Sequence, residues 1–159
     1  HWWWADDRAM APRALGPGLY GLSNAALDTP WPKVQRLKRA LARALECSPS
    51  PTALETMLFA ALADRSAPHD DALPDTGVGL ERERWLAPLF IRTPDARYGT
   101  RCSTLLIAER HGHGIRARVV ERQFDDEGRV LNQQGVRLER WPLSPGELPR
   151  VAAEPINAA

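Results

Sequence analysis

Apolar residues fall at three- and four-residue intervals through Val34, Leu37, Leu41 and Leu45, with Lys33, Arg36, Lys38, Arg39 and Arg43 filling much of the remainder. That period predicts an amphipathic helix from Pro30 to about Glu46, with a basic face left for solvent or an anionic ligand. Ser48, Pro49, Ser50 and Pro51 break it. Thr52 followed by Glu55 has the spacing of a capping box, which predicts a second helix carrying Leu54, Met57, Leu58, Ala61 and Leu62. The connection is short, so the two helices are expected to lie as antiparallel neighbours. A third, shorter helix is predicted over Leu80 to Leu89, with Glu81 and Glu83 near its start, Trp85, Leu86 and Leu89 toward the core, and Pro88 limiting its length.

Beyond Cys102 the period changes to two. Thr104 to Ile107 run to a His111–Gly114 turn, and Ile115, Ala117 and Val119 alternate with Arg116, Arg118 and Val120 on the way back, which predicts a hairpin. Asp125 to Gly128 make a second turn before a more polar strand over Val130 to Trp141. Near the start, Trp2, Trp3 and Trp4 predict a buried strand, for which preceding sequence is the expected partner. Leu19, Tyr20 and Leu22 predict another short strand that delivers Ser23 and Asn24 to its end. Residues 66–79 are rich in Pro, Asp, Ala and Gly and are expected to form a surface loop, and residues 142–159 a frayed tail. Helices followed by antiparallel strands make an α/β chain of the α+β kind.

At 159 residues the chain is long enough for a single domain, residues 1–159, burying roughly 70% of its extended-chain surface. Hydrophobic residues at 43% and charged residues at 26% argue against disorder. A formal net charge of +1 gives no excess of positive charge for nucleic acid, and no apolar run approaches the ~20 residues of a membrane span. With two cysteines, Cys47 and Cys102, a reducing compartment and hence a cytoplasmic location are expected. No phosphate loop, GxSxG elbow, HExxH helix or CxxC pair occurs. No metal is expected: His69, Asp70 and Asp71 are consecutive and do not converge easily, and His111 and His113 fit a solvent-exposed hairpin tip.

The stretch from Gly18 to Val34 is the densest in candidate chemistry. Gly18 and Gly21 permit tight turns, Asn24 can aim an amide, and Asp28 or Thr29 before Pro30 can open a helix. Arg101, beside Gly99 and directly before an apolar strand, is placed to hold a carboxylate or thiolate, and Asn24 to donate to a developing oxyanion. Read locally, Arg101 is better explained as a structural ion-pair partner of a carboxylate such as Asp28 or Glu121, and Asn24 as an ordinary turn or cap residue. Cys102 beside Arg101 reads as a half-buried strand cysteine rather than a nucleophile.

Three stretches, GLYGLSNAALDTPWPKV from Gly18, LPDTGVGLERERWLAPLFIRTPDARYGTRCSTLLI from Leu73 and VVERQF from Val119, together resemble the NRDE family, also called the transport and Golgi organisation protein 2 family. The likeness runs in order to about Phe124. Family members begin with Met-Cys and soon carry an Asn-Arg-Asp-Glu motif; neither occurs here, so the chain resembles the C-terminal portion of a member. The resemblance implies an incomplete α/β/β/α sandwich similar to N-terminal-nucleophile hydrolases, to be completed by a missing N-terminal segment. It also implies roles in haem trafficking, lipid metabolism, and Golgi organisation and secretion.

Two readings follow from that resemblance. In the first the chain belongs to a carrier for haem or an acylated metabolite, with Trp31, Tyr98 and Arg101 lining the ligand site beside Asn24 and no intrinsic cofactor. In the second it belongs to a cysteine-dependent amide hydrolase whose nucleophile lies outside this chain, with Asn24 and Arg101 in auxiliary roles that stabilise charge.

Overall fold

The computed structural model describes residues 2–6, 11–112, 114–141 and 152–154. Among these residues three α-helices precede a four-stranded antiparallel sheet, and a two-stranded ribbon stands at the start, an α+β arrangement as predicted. Two compact units are described by themselves, His1–Ile91 and Arg92–Ala159.

In the first unit, helix α1 (Pro32–Cys47) follows the predicted apolar period and buries Val34 and Ala44. It starts two residues later than expected. Neither Asp28 nor Thr29 caps it: Trp31 is the N-cap, in extended conformation with no side-chain bond, and Pro32 opens the first turn. Proline suits that position because its missing N–H would lack an intrahelical partner anyway. Helix α2 (Pro51–Leu62) packs beside α1. Its cap is Ser50, whose hydroxyl accepts from the Ala53 amide at 3.2 Å, with Pro51 again in the first turn. This corrects the Thr52–Glu55 capping box. Pro51 starts the helix one residue early, so the Thr52 carbonyl accepts from Thr56 and Glu55 is buried within the helix.

Helix α3 (Leu80–Leu86) begins after Gly79, whose φ of 86° suits glycine, and stops before Pro88. Phe90 beyond it donates its amide to the Asp64 carbonyl at 2.9 Å, and the Arg65 guanidinium lies 4.8 Å from its ring centroid, which ties this segment to the end of α2. Among the described residues, Leu58, Phe59, Ala87 and Phe90 join Val34 and Ala44 as this unit's buried apolar set.

Strand β1 (Trp2–Trp4) pairs antiparallel with β2 (Arg13–Leu15), a strand that periodicity did not reveal. Contrary to expectation the tryptophan strand is not buried, since Trp2 is 69% and Trp3 63% exposed. A ribbon of two three-residue strands cannot cover indoles on both faces. The strand predicted at Leu19–Leu22 does not form either; that segment is part of a closed loop.

The second unit is built from β3 (Cys102–His111), β4 (Gly114–Phe124), β5 (Val130–Trp141) and β6 (Ala152–Glu154), in that order and all antiparallel. The first turn falls at the predicted residues, with Gly112 at φ 58°; His113 lies outside the described residues. Val120 is fully buried between Leu105 and Gly135, while Ala117, of the opposite parity, is buried as well. Strand β4 is therefore covered on both faces, which a strict one-sided alternation would not produce. Strand β6 lies within the tail expected to fray, pairing with Gly135 to Arg137, and the rest of that tail lies outside the described residues.

Replacing Ser50 by Ala removes the hydroxyl's bond to the Ala53 amide at the start of α2 and should lower stability by about 1 kcal/mol in urea unfolding monitored by helix ellipticity. Thr52→Ala should change it by much less.

Candidate functional site

The segment between Gly21 and Asp28 is held shut by reciprocal bonds. The Asp28 amide donates to the Gly21 carbonyl at 2.7 Å, and the Gly21 amide donates to Asp28 Oδ1 at 2.8 Å. The same carboxylate oxygen accepts from Lys38 Nζ on α1 at 2.6 Å. Lys38 and the Gly21 amide together hold the Asp28 carboxyl below the usual aspartate range. Asp28 adopts a φ of 61°, a left-handed conformation that an aspartate tolerates better than most residues. The loop also lies close on α1: a Cβ on Gly21 would come within 2.5 Å of Val34 Cγ1 and 3.2 Å of the Lys38 side chain.

With the loop seated this way, two cavities adjoin the start of α1, both inside the first unit. One, of about 230 Å³, is lined by Tyr20, Gly21, Leu22, Val34, Leu37, Leu41 and Leu89, with Lys33 and Lys38 as its cations. The other, of about 160 Å³, is lined by Asn24, Trp31, Lys33, Pro68, Pro74, Val78, Glu83 and Leu86. Lys33 is common to both.

Lys33 is half-buried. Its Nζ donates to the Leu86 carbonyl at 3.0 Å and stands 5.7 Å from the Trp31 ring centroid. Burial pushes its pKa down, and the nearby negative charge of Glu83 pulls the other way. Glu83 is 5% exposed. Its Oε1 accepts from the Thr76 amide at 2.7 Å and from the Thr76 hydroxyl. Gly77 and Gly79, both at positive φ, make the turn that returns Thr76 to this helix.

Of the residues singled out in the sequence, Asn24 and Trp31 meet at the smaller cavity. Tyr98 and Arg101 belong to the second unit, where Tyr98 is 59% exposed and Arg101 pairs with Asp126 at 2.9 Å. The partners expected for a structural Arg101 are engaged elsewhere, Asp28 with Lys38 and Glu121 with the Thr104 hydroxyl. Cys102 is a free, exposed thiol rather than a half-buried one. Asp70 pairs with Arg84 on α3. Among the described residues no cluster of three or more His, Cys, Asp or Glu is placed to hold a metal, and no helix is long and apolar enough to cross a membrane.

Sequence reasoning passed over Lys33 and Glu83, the first counted as one charge of a basic helix face and the second as a favourable residue in a first helical turn. Lys33 carries a positional signal, following Trp31-Pro32 directly, whereas Glu83 lies within an acidic-basic helix that gives no reason for one carboxylate to be buried.

Residues 2–126 match the family model described as Transport and Golgi organisation 2. The chain belongs to that family. A bovine protein named Transport and Golgi organization protein 2 homolog is 35% identical over 111 residues, covering 64% of this chain and 38% of the relative. The mouse and human homologs are each 33% identical over 109 residues, with the same coverage. The chain thus spans 38% of the length of these relatives. Every residue lining the two cavities falls inside the region that matches the family model.

The clamp yields two tests. A folded-state pKa below that of an unfolded aspartate, ~3.9, means that Asp28 contributes stability above that pH and loses it as the pH falls through its folded value. Asp28→Asn, which keeps the left-handed backbone accessible, should therefore be destabilising near about pH 6, and its difference from wild type in urea midpoint should shrink toward about pH 2.5. Gly21→Ala should cost about 1–3 kcal/mol in the same assay at neutral pH, because Val34 must yield to the added methyl.

Proposed function

We propose that this chain forms part of a cytoplasmic carrier or trafficking factor whose cargo is a small amphipathic anion, an acylated metabolite in preference to haem. The observation that carries the reading is the larger cavity, where the apolar side chains of Leu37, Leu41 and Leu89 stand beside the ammonium groups of Lys33 and Lys38. An apolar chain laid against the leucines removes surface from water, and an anionic head meets the cations, one of which is already half desolvated. A cavity of about 230 Å³ suits a narrow acyl chain better than a planar macrocycle, since pockets for drug-sized ligands begin near ~300 Å³. The names of the relatives, which speak of transport, agree with a carrier role.

Calorimetric titration of the 159-residue chain with a medium-chain acyl-CoA should give saturable binding at micromolar Kd or better, and coenzyme A alone should bind at least tenfold more weakly. Leu41→Gln, which places an amide in the apolar wall, should weaken acyl-CoA by about tenfold. A flat titration with both acyl-CoA and haemin would overturn the carrier reading, and binding of haemin alone would reverse the preference between cargoes.

A further inference from the structure

The smaller cavity contains two charged groups that the protein uses only in part. Both hydrogen bonds to the Glu83 carboxylate come from Thr76 and both end on Oε1. Oε2 accepts from no donor among the described residues, although the residue is only 5% exposed. That oxygen is not one of the fully buried unpartnered polar atoms, so it stays within reach of water, which a ligand's donor can displace. Lys33 has three N–H donors and places one on the Leu86 carbonyl. The two charges line the same cavity without forming a direct ion pair. The cavity therefore offers a free acceptor on an anion and free donors on a cation, set among Trp31, Pro68, Pro74 and Val78.

We propose that this cavity binds a free amino acid with an apolar side chain, its α-ammonium donating to Glu83 Oε2 and its carboxylate accepting from Lys33 Nζ. A zwitterion matches both charges at once. A simple carboxylate would leave Glu83 unpaired and face its negative charge, and a simple amine would do the same at Lys33. The volume of about 160 Å³ is close to half that at which drug-sized pockets begin, which sets the ligand at the scale of a single residue. Trp31 and the prolines provide rigid apolar walls for its side chain, and these walls lose no conformational freedom on binding. This site goes beyond the carrier reading and uses the other cavity, with Lys33 as the shared lining residue.

The test is titration of the 159-residue chain with L-leucine, 4-methylpentanoate, which lacks the ammonium, and 3-methylbutylamine, which lacks the carboxylate. Leucine should saturate with Kd below about 1 mM, and each truncated analogue should bind at least about tenfold more weakly. Glu83→Gln keeps an amide oxygen for Thr76 while removing the charge, and should weaken leucine by about tenfold or more. Val78→Trp fills the cavity from an exposed position and should block leucine without touching either charge, which covers the case in which Glu83→Gln fails to fold. No saturable leucine binding, equal binding by the analogues, or unchanged binding by the Val78→Trp chain would each overturn the proposal. Leu41→Gln should leave leucine binding unaltered; a wild-type chain that binds leucine but neither acyl-CoA nor haemin removes the carrier reading alone, and one that binds acyl-CoA but not leucine removes this one alone.

Discussion

One carboxylate oxygen organises the candidate site. Asp28 Oδ1 receives the Gly21 amide and the Lys38 ammonium together, and so closes the loop on itself and ties it to the face of α1. The loop so placed supplies Tyr20 to Ser23 to the wall of the larger cavity and Asn24 to that of the smaller. The strength of the arrangement lies in its geometry. Charge-assisted bonds of 2.6 and 2.8 Å converge on an atom whose backbone is held in a left-handed conformation, so the carboxylate is aimed by the chain itself.

The two units meet their backbone requirements in different ways. In the second, strand pairing satisfies the main chain, and Val120 and Ala117 bury opposite faces of the central strand. In the first, caps, turns and side-chain bonds to carbonyls do much of the same work: Ser50 on the Ala53 amide, Lys33 on the Leu86 carbonyl, and Arg36 on the Ser66 carbonyl. Irregular backbone held by side chains is where polar groups are left facing a cavity, and both cavities are found there.

How far these features were legible in the sequence follows from the range of the interactions that make them. The period of Val34, Leu37 and Leu41 and the His111–Gly114 turn are local patterns, and both helix and hairpin form where they predict. Cap assignment is less secure, because Ser50 and Thr52 are both good caps and only the place where Pro51 starts the helix decides between them. The burial of Glu83 could not be read from its neighbours, since it depends on a turn through Gly77 and Gly79 that brings Thr76 back to it. Asn24 and Trp31 were chosen for their chemistry and do share a cavity, whereas Arg101, chosen for its place before a strand, is exposed and paired with Asp126. The family resemblance was legible because it rests on residue identity, and the matched region bears it out.

Gly21 and Gly79 both favour glycine, but for different reasons. Gly79 has a φ of 86° with nothing within 4 Å of where its Cβ would stand, whereas Gly21 has no such backbone and meets Val34 instead. The constraint at position 21 is thus shared with a neighbour, and the one at position 79 belongs to the chain's own torsion. In genetic terms the first is suppressible: an alanine at position 21 becomes tolerable once Val34 is trimmed, so the two positions can drift as a pair. An alanine at position 79 has no second-site remedy, because no neighbouring side chain is responsible for the strain.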